Sequence, residues 1–183
     1  MRLVELAHDR LKQILCPGDI CIDATAGNGH DSLFLAKFTA PHGVVYAIDI
    51  QEAAILKTME RLKQHGFGKQ LKIVHDSHES LYQIIEPEFR GDIAAIMFNL
   101  GYLPGGNHQI ITDAGSTVKS VEQAYGLVKK NGIITIICYR GHDGGEKETQ
   151  EVLNLCESNQ WKTEQIYGSK NPSSPILLII EKL

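Results

Sequence analysis

The alternation of short apolar runs with helix-patterned segments most constrains the fold of this chain. Runs rich in isoleucine and valine recur along it, such as VVYAI at 44–48, IAAIMFNL at 93–100 and IITIIC at 133–138. Segments with apolar residues at helical spacing lie between them, as at 52–65 and 116–128. This alternation predicts βαβ units, and hence a mostly parallel sheet with helices on both faces.

The C-terminal region departs from the alternation. Its two predicted strands, 162–167 and 176–181, are separated by the turn GSKNP and not by a helix. Strands joined without a helix can form a hairpin, so one of them is expected to run antiparallel to the rest. With further strands at 19–24 and 71–74, the sequence predicts a seven-stranded α/β sheet. A length of 183 residues with 43% hydrophobic content fits one domain, 1–183.

Composition excludes several classes of protein. Charges of both signs are interspersed and the formal net charge is −4, which argues against a nucleic-acid-coating surface but leaves room for a local basic patch. No apolar run approaches the roughly 20 residues of a membrane helix. The four cysteines form no CxxC pair, so reduced thiols and a cytoplasmic location are expected. His75, His78, His108 and His142 lie on different loops without ligand-pair spacing, so no metal site is predicted.

The densest motif is DATAGNGHD at 23–31, which follows the first predicted strand and opens a helix. Gly27 and Gly29 allow a sharp turn close to a ligand. Asp23 ends the strand, where a carboxylate suits a cationic group, and the loop also offers Asn28 and Asp31. The pattern D-x-x-x-G-x-G resembles motif I of class I methyltransferases. A tight turn without a ligand is the alternative interpretation.

Acidic residues also end the next two predicted strands. Asp49 lies 20 residues beyond Gly29, where a carboxylate accepts hydrogen bonds from ribose hydroxyls. Asp76 is placed to accept from an adenine amino group, followed by Ser77 and by His78, which either caps the next helix or lies against a nucleoside. Three such acids fit S-adenosylmethionine better than NAD, ATP or FAD. Surface acids at strand ends are the alternative.

The fourth strand ends in FNLGYLPGG at 98–106. This stretch resembles the N-P-P-Y motif of amino-group methyltransferases. The Asn99 side-chain oxygen and the Leu100 carbonyl are predicted to accept two N–H bonds from an amine, which aims its lone pair at the methyl group, and Tyr102 is predicted to stack on a flat base. Asn99 would also border the donor. A loop-capping role for Asn99 is the alternative.

The fifth strand is followed by YRGHDGG at 139–145, which borders the same cleft. His142 is expected to take a proton from the amine or to hold the substrate, and Arg140 could meet a phosphate. A structural loop histidine is the alternative for His142. The glycine-rich stretch 105–108 is a candidate flap over the acceptor.

Taken in order, the motifs DATAGNGHD, AIDIQ, HDSH, FNLGYLPGG and YRGHDGGEKE are similar to those of the small bacterial methyltransferases of the MnmM (YtqB) family. The resemblance covers essentially the whole chain. It implies methylation of the aminomethyl group of 5-aminomethyl-2-thiouridine at the tRNA wobble position, and a homodimer that binds the anticodon region. It also implies a donor site at Asn28, Asp49, Gln51, Asp76 and His78.

One stretch departs from the family pattern. The family often has an acidic then basic pair after the double glycine, whereas this chain has NHQIIT at 107–112, which leaves the flap contacts open. Two other functions also stay open. One is methylation of rRNA or of a small-molecule amine. The other is a non-catalytic nucleoside-binding or RNA-scaffold role, since a fold alone does not establish an activity.

Overall fold

The computed structural model describes residues 2–101, 112–141, 143–171 and 173–183. Its strands, numbered in chain order, are β1 Ile20–Asp23, β2 Val44–Asp49, β3 Leu71–His75, β4 Ile93–Leu100, β5 Val128–Cys138, β6 Lys162–Tyr167 and β7 Ile176–Glu181. Its helices are α1 Leu3–Leu11, α2 His30–Thr39, α3 Glu52–Gln64, α4 Leu81–Ile84, α5 Ala114–Leu127 and α6 Gly145–Ser158, with 3₁₀ turns at His78–Ser80 and Pro87–Phe89.

The strands form one seven-stranded sheet in the order β3-β2-β1-β4-β5-β7-β6. The pairs from β3 across to β5 are parallel. Strand β7 is antiparallel to both of its neighbours. The predicted Rossmann-like sheet with one antiparallel strand near the C-terminus is therefore confirmed. After β3 the chain returns to the far side of β1, and this reversal of strand order places a ligand crevice at the carboxyl ends of β1 and β4.

Alternating side chains of β4 supply both hydrophobic cores. Ile96, Phe98 and Leu100 join one core, which is covered by α4, α5 and α6. Ala95 and Met97 join the other core, under α1, α2 and α3. Because successive side chains of a strand point to opposite faces, one strand can anchor helices on both sides of the sheet. The central strand that carries the end of the site is thereby held from both faces.

Strand β5 differs most from its predicted bounds. It begins at Val128, five residues before the predicted start at residue 133. Helix α5 ends at Leu127, so the chain passes from the helix directly into strand pairing. Within the strand, Asn131 takes a left-handed φ of 63°, and its N–H donates to the Lys182 carbonyl at 2.7 Å.

We predict that Leu178→Ala in β7 lowers the free energy of unfolding by about 2–5 kcal/mol, since it opens a cavity at a fully buried site. Leu56→Ala on α3 is the matched control, because that side chain is 52% exposed. It should change stability by only about 0.5 kcal/mol or less. Chemical denaturation measures both, and equal losses would contradict the assignment of Leu178 to the core.

Candidate active site

A cavity of about 1240 Å³ opens beyond the carboxyl ends of the parallel strands. Ligand pockets commonly measure about 300–1000 Å³, so this one has room for a methyl donor and part of an acceptor. Most residues of the predicted donor site line it, namely Gly27, Asn28, Asp31, Asp49, Gln51, Asp76, Ser77, His78 and Asn99. Asp23 and Gly29 do not line it. Asp23 lies beneath the glycine loop, and Gly29 is the residue from which α2 begins.

The glycine loop is tied to the helix behind it. Gly27 and Gly29 have φ values of 54° and 75°, in the left-handed region that favours glycine. A Cβ atom on Gly29 would lie 2.8 Å from the Thr58 backbone, so a side chain does not fit there. Thr58 Oγ1 donates to the Gly27 carbonyl at 3.2 Å, and Arg61 Nε donates to the Asn28 carbonyl at 2.6 Å. Helix α3 therefore holds the loop against the cavity.

Asp49 joins the end of β2 to the glycine loop. Its Oδ2 accepts from the Gly27 N–H and its Oδ1 accepts from the Gln51 N–H, both at 2.9 Å. A carboxylate offers about four lone-pair sites, so two directions remain for ribose hydroxyls. The two backbone bonds fix the carboxylate at the cavity wall, as a ribose-binding acid requires.

The residues after β3 form the far wall of the cavity. Ser77 accepts from the Glu79 N–H at 3.2 Å, so it caps the 3₁₀ turn, a role the sequence had left open for His78. His78 is 7% exposed and packs edge-on against Phe98. Burial lowers its pKa, which favours a neutral ring. Its Nε2 is buried and has no partner among the described residues. An unpaired buried ring nitrogen at the cavity wall fits a bound nucleoside.

Asp23 lies beneath the loop and is fully buried. Its Oδ2 accepts from the Ser32 hydroxyl at 2.6 Å, which ties the end of β1 to the start of α2. Burial, and secondarily the nearby carboxylate of Asp31, raise the pKa of Asp23 to about 7. The carboxylate that faces the cavity is that of Asp31, so the direct contact with a cationic ligand group that we expected of Asp23 falls more naturally to Asp31.

Asp31 connects three elements at the acceptor end of the cavity. Its Oδ2 accepts from Asn99 Nδ2 at 2.6 Å, and its Oδ1 lies 2.7 Å from His8 Nε2. The His8 ring also stacks on Phe34, with ring centroids 3.8 Å apart. Because a carboxylate only accepts, Asn99 must present its NH₂ group to Asp31. The side-chain oxygen of Asn99 is then the acceptor this amide can offer to a substrate.

The sequence reasoning missed His8, and with it the contribution of α1. Arg2, Val4, Glu5 and His8 all line the cavity. The available signal was the four-residue spacing of Val4 and His8, which places them on one face of a helix. Nothing in the sequence connected that face to Asp31, which is 23 residues away along the chain.

Two of the predicted catalytic residues, Tyr102 and His142, lie outside the described residues, as does the predicted flap at 105–108. The Leu100 carbonyl, predicted as a second acceptor for the amine, accepts from the Tyr139 N–H at 3.2 Å. Within the described ranges, no group of three or more His, Cys, Asp or Glu residues is arranged to hold a metal ion. No helix in that part of the chain is long and apolar enough to cross a membrane.

We expect the protein to lose stability as the pH rises from about 4 to 7, relative to the Asp23→Asn variant. A carboxyl with a raised pKa in the folded state binds its proton more tightly there than in the unfolded chain, so folding is weakened as that proton leaves. The asparagine has no proton to lose. Unfolding free energies at pH 5 and pH 8 measure the effect, and parallel pH dependences for the two proteins would contradict it.

Gly29→Ala should lower both the free energy of unfolding and the affinity for S-adenosylmethionine, because it combines a positive φ with a backbone clash. Gly66→Ala is the control: its φ of 82° imposes similar strain, but nothing lies within 4 Å of the added Cβ. The control should lose about 1 kcal/mol of stability and keep its donor affinity, as calorimetry can show. Unchanged donor affinity in Gly29→Ala would refute the role of this turn.

Known proteins share this architecture. The family profile described as "Putative rRNA methylase" matches residues 45–181. A structure titled as a putative rRNA-methylase from Clostridium thermocellum superposes with a TM-score of 0.93 at 32% identity, covering 100% of this chain and 98% of that one. A putative methyltransferase from Streptococcus mutans, in complex with SAH, gives a TM-score of 0.87 at 34% identity, covering 100% and 99% of the two chains.

A curated relative from Arabidopsis thaliana, named "tRNA (mnm(5)s(2)U34)-methyltransferase, chloroplastic", is 33% identical over 99% of this chain and 69% of its own length. These matches confirm the predictions of a methyltransferase and of S-adenosylmethionine as its cofactor. The chain belongs to the family described as "Putative rRNA methylase" and is a class I, S-adenosylmethionine-dependent methyltransferase.

Proposed function

We propose that this enzyme methylates the amino group of 5-aminomethyl-2-thiouridine, or of its 2-oxo analogue, at the tRNA wobble position. The product is the 5-methylaminomethyl nucleoside. One observation carries the proposal: Asp31 holds the Asn99 amide so that its oxygen is available to an N–H donor at the end of β4. The name of the Arabidopsis relative supports the same tRNA nucleoside.

The chain's own residues would orient the amine. The side-chain oxygen of Asn99 accepts one N–H of the amine, and we assign a second N–H to the lone pair that the Leu100 carbonyl keeps beside its bond from the Tyr139 N–H. An amine held by two such bonds directs its remaining lone pair along one line. Orientation of this kind accounts for much of the rate gain in a two-substrate transfer.

The donor side supplies the second half of the geometry. We assign Asp49 to the ribose hydroxyls, Asp76 and His78 to the base, and the glycine loop to the amino-acid portion; that these residues line one cavity supports the assignment. When bound, S-adenosylmethionine would supply a methyl group on a sulfonium, from which a neutral thioether departs as a good leaving group. The residues therefore need to align two ligands and exclude water, and no covalent intermediate with the protein is required.

An amine must lose a proton before or during methylation. We propose that the Asp31–His8 pair receives it, because Asp31 lies beside the Asn99 amide and the His8 side chain is 20% exposed. The proton of the ammonium form passes to this pair and then to solvent past His8. The prediction that His142 serves as base stays open beside it.

The remaining partner and location predictions follow from the resemblance. We propose a homodimer that binds the anticodon region of tRNA and works in the cytoplasm. Four free cysteines, three of them buried, support a reducing compartment. The description of the family as rRNA methylases favours rRNA as the second candidate substrate.

The experiment that tests the substrate is nucleoside mass spectrometry. Purified enzyme and S-adenosylmethionine are incubated with tRNA that carries unmethylated 5-aminomethyl-2-thiouridine. Conversion to the methylaminomethyl nucleoside is the expected result. If the donor binds but no tRNA nucleoside gains a methyl group, the tRNA assignment is wrong, and methylation of rRNA or of a small amine in parallel reactions identifies the other candidates.

Asn99→Ala should lower kcat by about ten- to a hundredfold, because it removes an oriented acceptor for the amine. The affinity for S-adenosylmethionine should stay within about twofold of the wild type, which isothermal titration calorimetry measures. A loss of donor affinity as large as the loss of turnover would assign Asn99 to donor binding alone.

A further inference from the structure

The acceptor end of the cavity contains two residues to which the proposed mechanism gives no role. Tyr139 and Arg140 follow β5 directly, next to the carboxyl end of β4 that carries Asn99. Both line the cavity, as do Ser173 and Pro175 from the connection between β6 and β7. This wall lies across the sheet from the β2 and β3 ends, where the donor residues are, so it faces the second substrate.

Tyr139 contributes an aromatic ring to this wall of the cavity. Its side chain is 42% exposed, although most large apolar side chains of the described chain are buried. Its backbone N–H is fixed on the Leu100 carbonyl. Burial, and secondarily the Asp31 carboxylate, raise the pKa of its hydroxyl, and both residues line the same cavity. A partly exposed ring beside the amine site is suited to stack on an unpaired base.

Arg140 has an unsatisfied donor in the same wall. Its side chain is only 16% exposed, and its Nη2 pairs with Glu146 Oε1 at 3.0 Å. The Nε atom is buried and has no hydrogen-bond partner among the described residues. Buried donors are rarely left unpaired in folded proteins. In a guanidinium, Nε and Nη2 share one edge, and such an edge matches two oxygens of a phosphate.

The charge of the surrounding wall makes Arg140 distinctive. The described carboxylates that line the cavity are Glu5, Asp31, Asp49, Asp76, Glu79 and Asp113. The lysine and arginine residues among the described lining are Arg2 and Arg140. Arg2 is 84% exposed and is engaged by Glu5. An anionic nucleotide therefore meets one largely buried cation in an otherwise acidic cavity.

We propose that Tyr139 and Arg140 form the subsite for the acceptor nucleotide. Tyr139 stacks on the pyrimidine that carries the amine, and Arg140 binds a phosphate of the same nucleotide through Nε. This inference rests on the proposed function, because it requires an RNA acceptor. It also requires the nucleotide to leave the base stack of the anticodon loop, as happens when an enzyme acts on a single base.

A purely structural role for Arg140 is the competing explanation, since its ion pair with Glu146 ties the wall to the first turn of α6. Glu146 is 78% exposed and does not line the cavity. The Glu146→Gln variant therefore breaks the same ion pair and leaves the guanidinium in place. Under the phosphate hypothesis it keeps wild-type kcat/KM for RNA, whereas under the structural hypothesis it loses as much as Arg140→Gln.

The test uses an anticodon stem-loop RNA that contains 5-aminomethyl-uridine. The same RNA is also prepared with an uncharged methylphosphonate on either the 5′ or the 3′ side of that nucleotide. Arg140→Gln should reduce kcat/KM on the unmodified RNA by about ten- to a hundredfold. One of the two methylphosphonates should cost the wild type a similar factor, and should cost Arg140→Gln little more. If Arg140→Gln and each methylphosphonate instead lower kcat/KM by independent factors that multiply, the phosphate assignment is wrong.

Variants of Tyr139 test the proposed stacking of this ring on the pyrimidine. Tyr139→Leu should lower kcat/KM by about five- to a hundredfold, whereas Tyr139→Phe should stay within about twofold, since it keeps the ring. All variants should keep S-adenosylmethionine affinity, which also shows that they are folded. If the wild type methylates the stem-loop and Tyr139→Leu matches it, the stacking role is wrong. If the wild type transfers no methyl group to any RNA, the proposed function fails, and the subsite fails with it.

Discussion

The carboxylate of Asp31 is the interaction on which the acceptor half of the site depends. It joins the start of α2 to Asn99 on β4 and to His8 on α1, with both bonds shorter than 2.8 Å. Hydrogen bonds to a charged group are short and stronger than neutral ones. Without that carboxylate, the rotamer of Asn99 would lose its fixed reference, and α1 would be held over the cavity by its core side chains alone. The orientation of Asn99 as the acceptor for the amine thus follows from the same carboxylate that, with His8, is proposed to receive the proton of the amine.

A second acid beneath the loop makes this arrangement possible. Asp23 and Asp31 are close enough to influence each other, yet only Asp31 reaches the cavity. Two neighbouring carboxylates cannot both be charged at low cost in a buried setting. The fully buried Asp23 has its pKa raised to about 7 and accepts from Ser32. The two acids therefore have different roles. Asp23 connects β1 to α2, whereas Asp31 faces the cavity in which the ligands bind.

The sequence predicted the donor half better than the acceptor half, for a physical reason. Asp49 and Asp76 each follow a strand of the parallel sheet, and the carboxyl ends of such strands meet at one edge, so their convergence could be inferred from order alone. The sheet itself was predictable because most of its strands are apolar runs in the sequence. The position of His8 beside Asp31 and the orientation of Asn99 depend on tertiary contacts between segments tens of residues apart. Local sequence patterns do not predict those contacts. They also do not predict the burial of Asp23, which lies beneath the loop and does not line the cavity.

This difference bears on how the fold separates its two substrates. The donor wall is built by β1, β2 and β3 with the loops that follow them, while the acceptor wall is built by the ends of β4 and β5 together with α1. The two walls share the boundary between β1 and β4, where Thr25 Oγ1 accepts from the Asn99 N–H at 2.7 Å. Residues of the acceptor wall other than Asn99 and His8, both of which contact Asp31, can therefore change without disturbing those that bind the donor. The hydrogen bond at Thr25 helps to fix the position of the acceptor wall relative to the donor wall. That relative position matters, because a shift of about 1 Å between reacting groups is enough to lower a transfer rate by about a hundredfold.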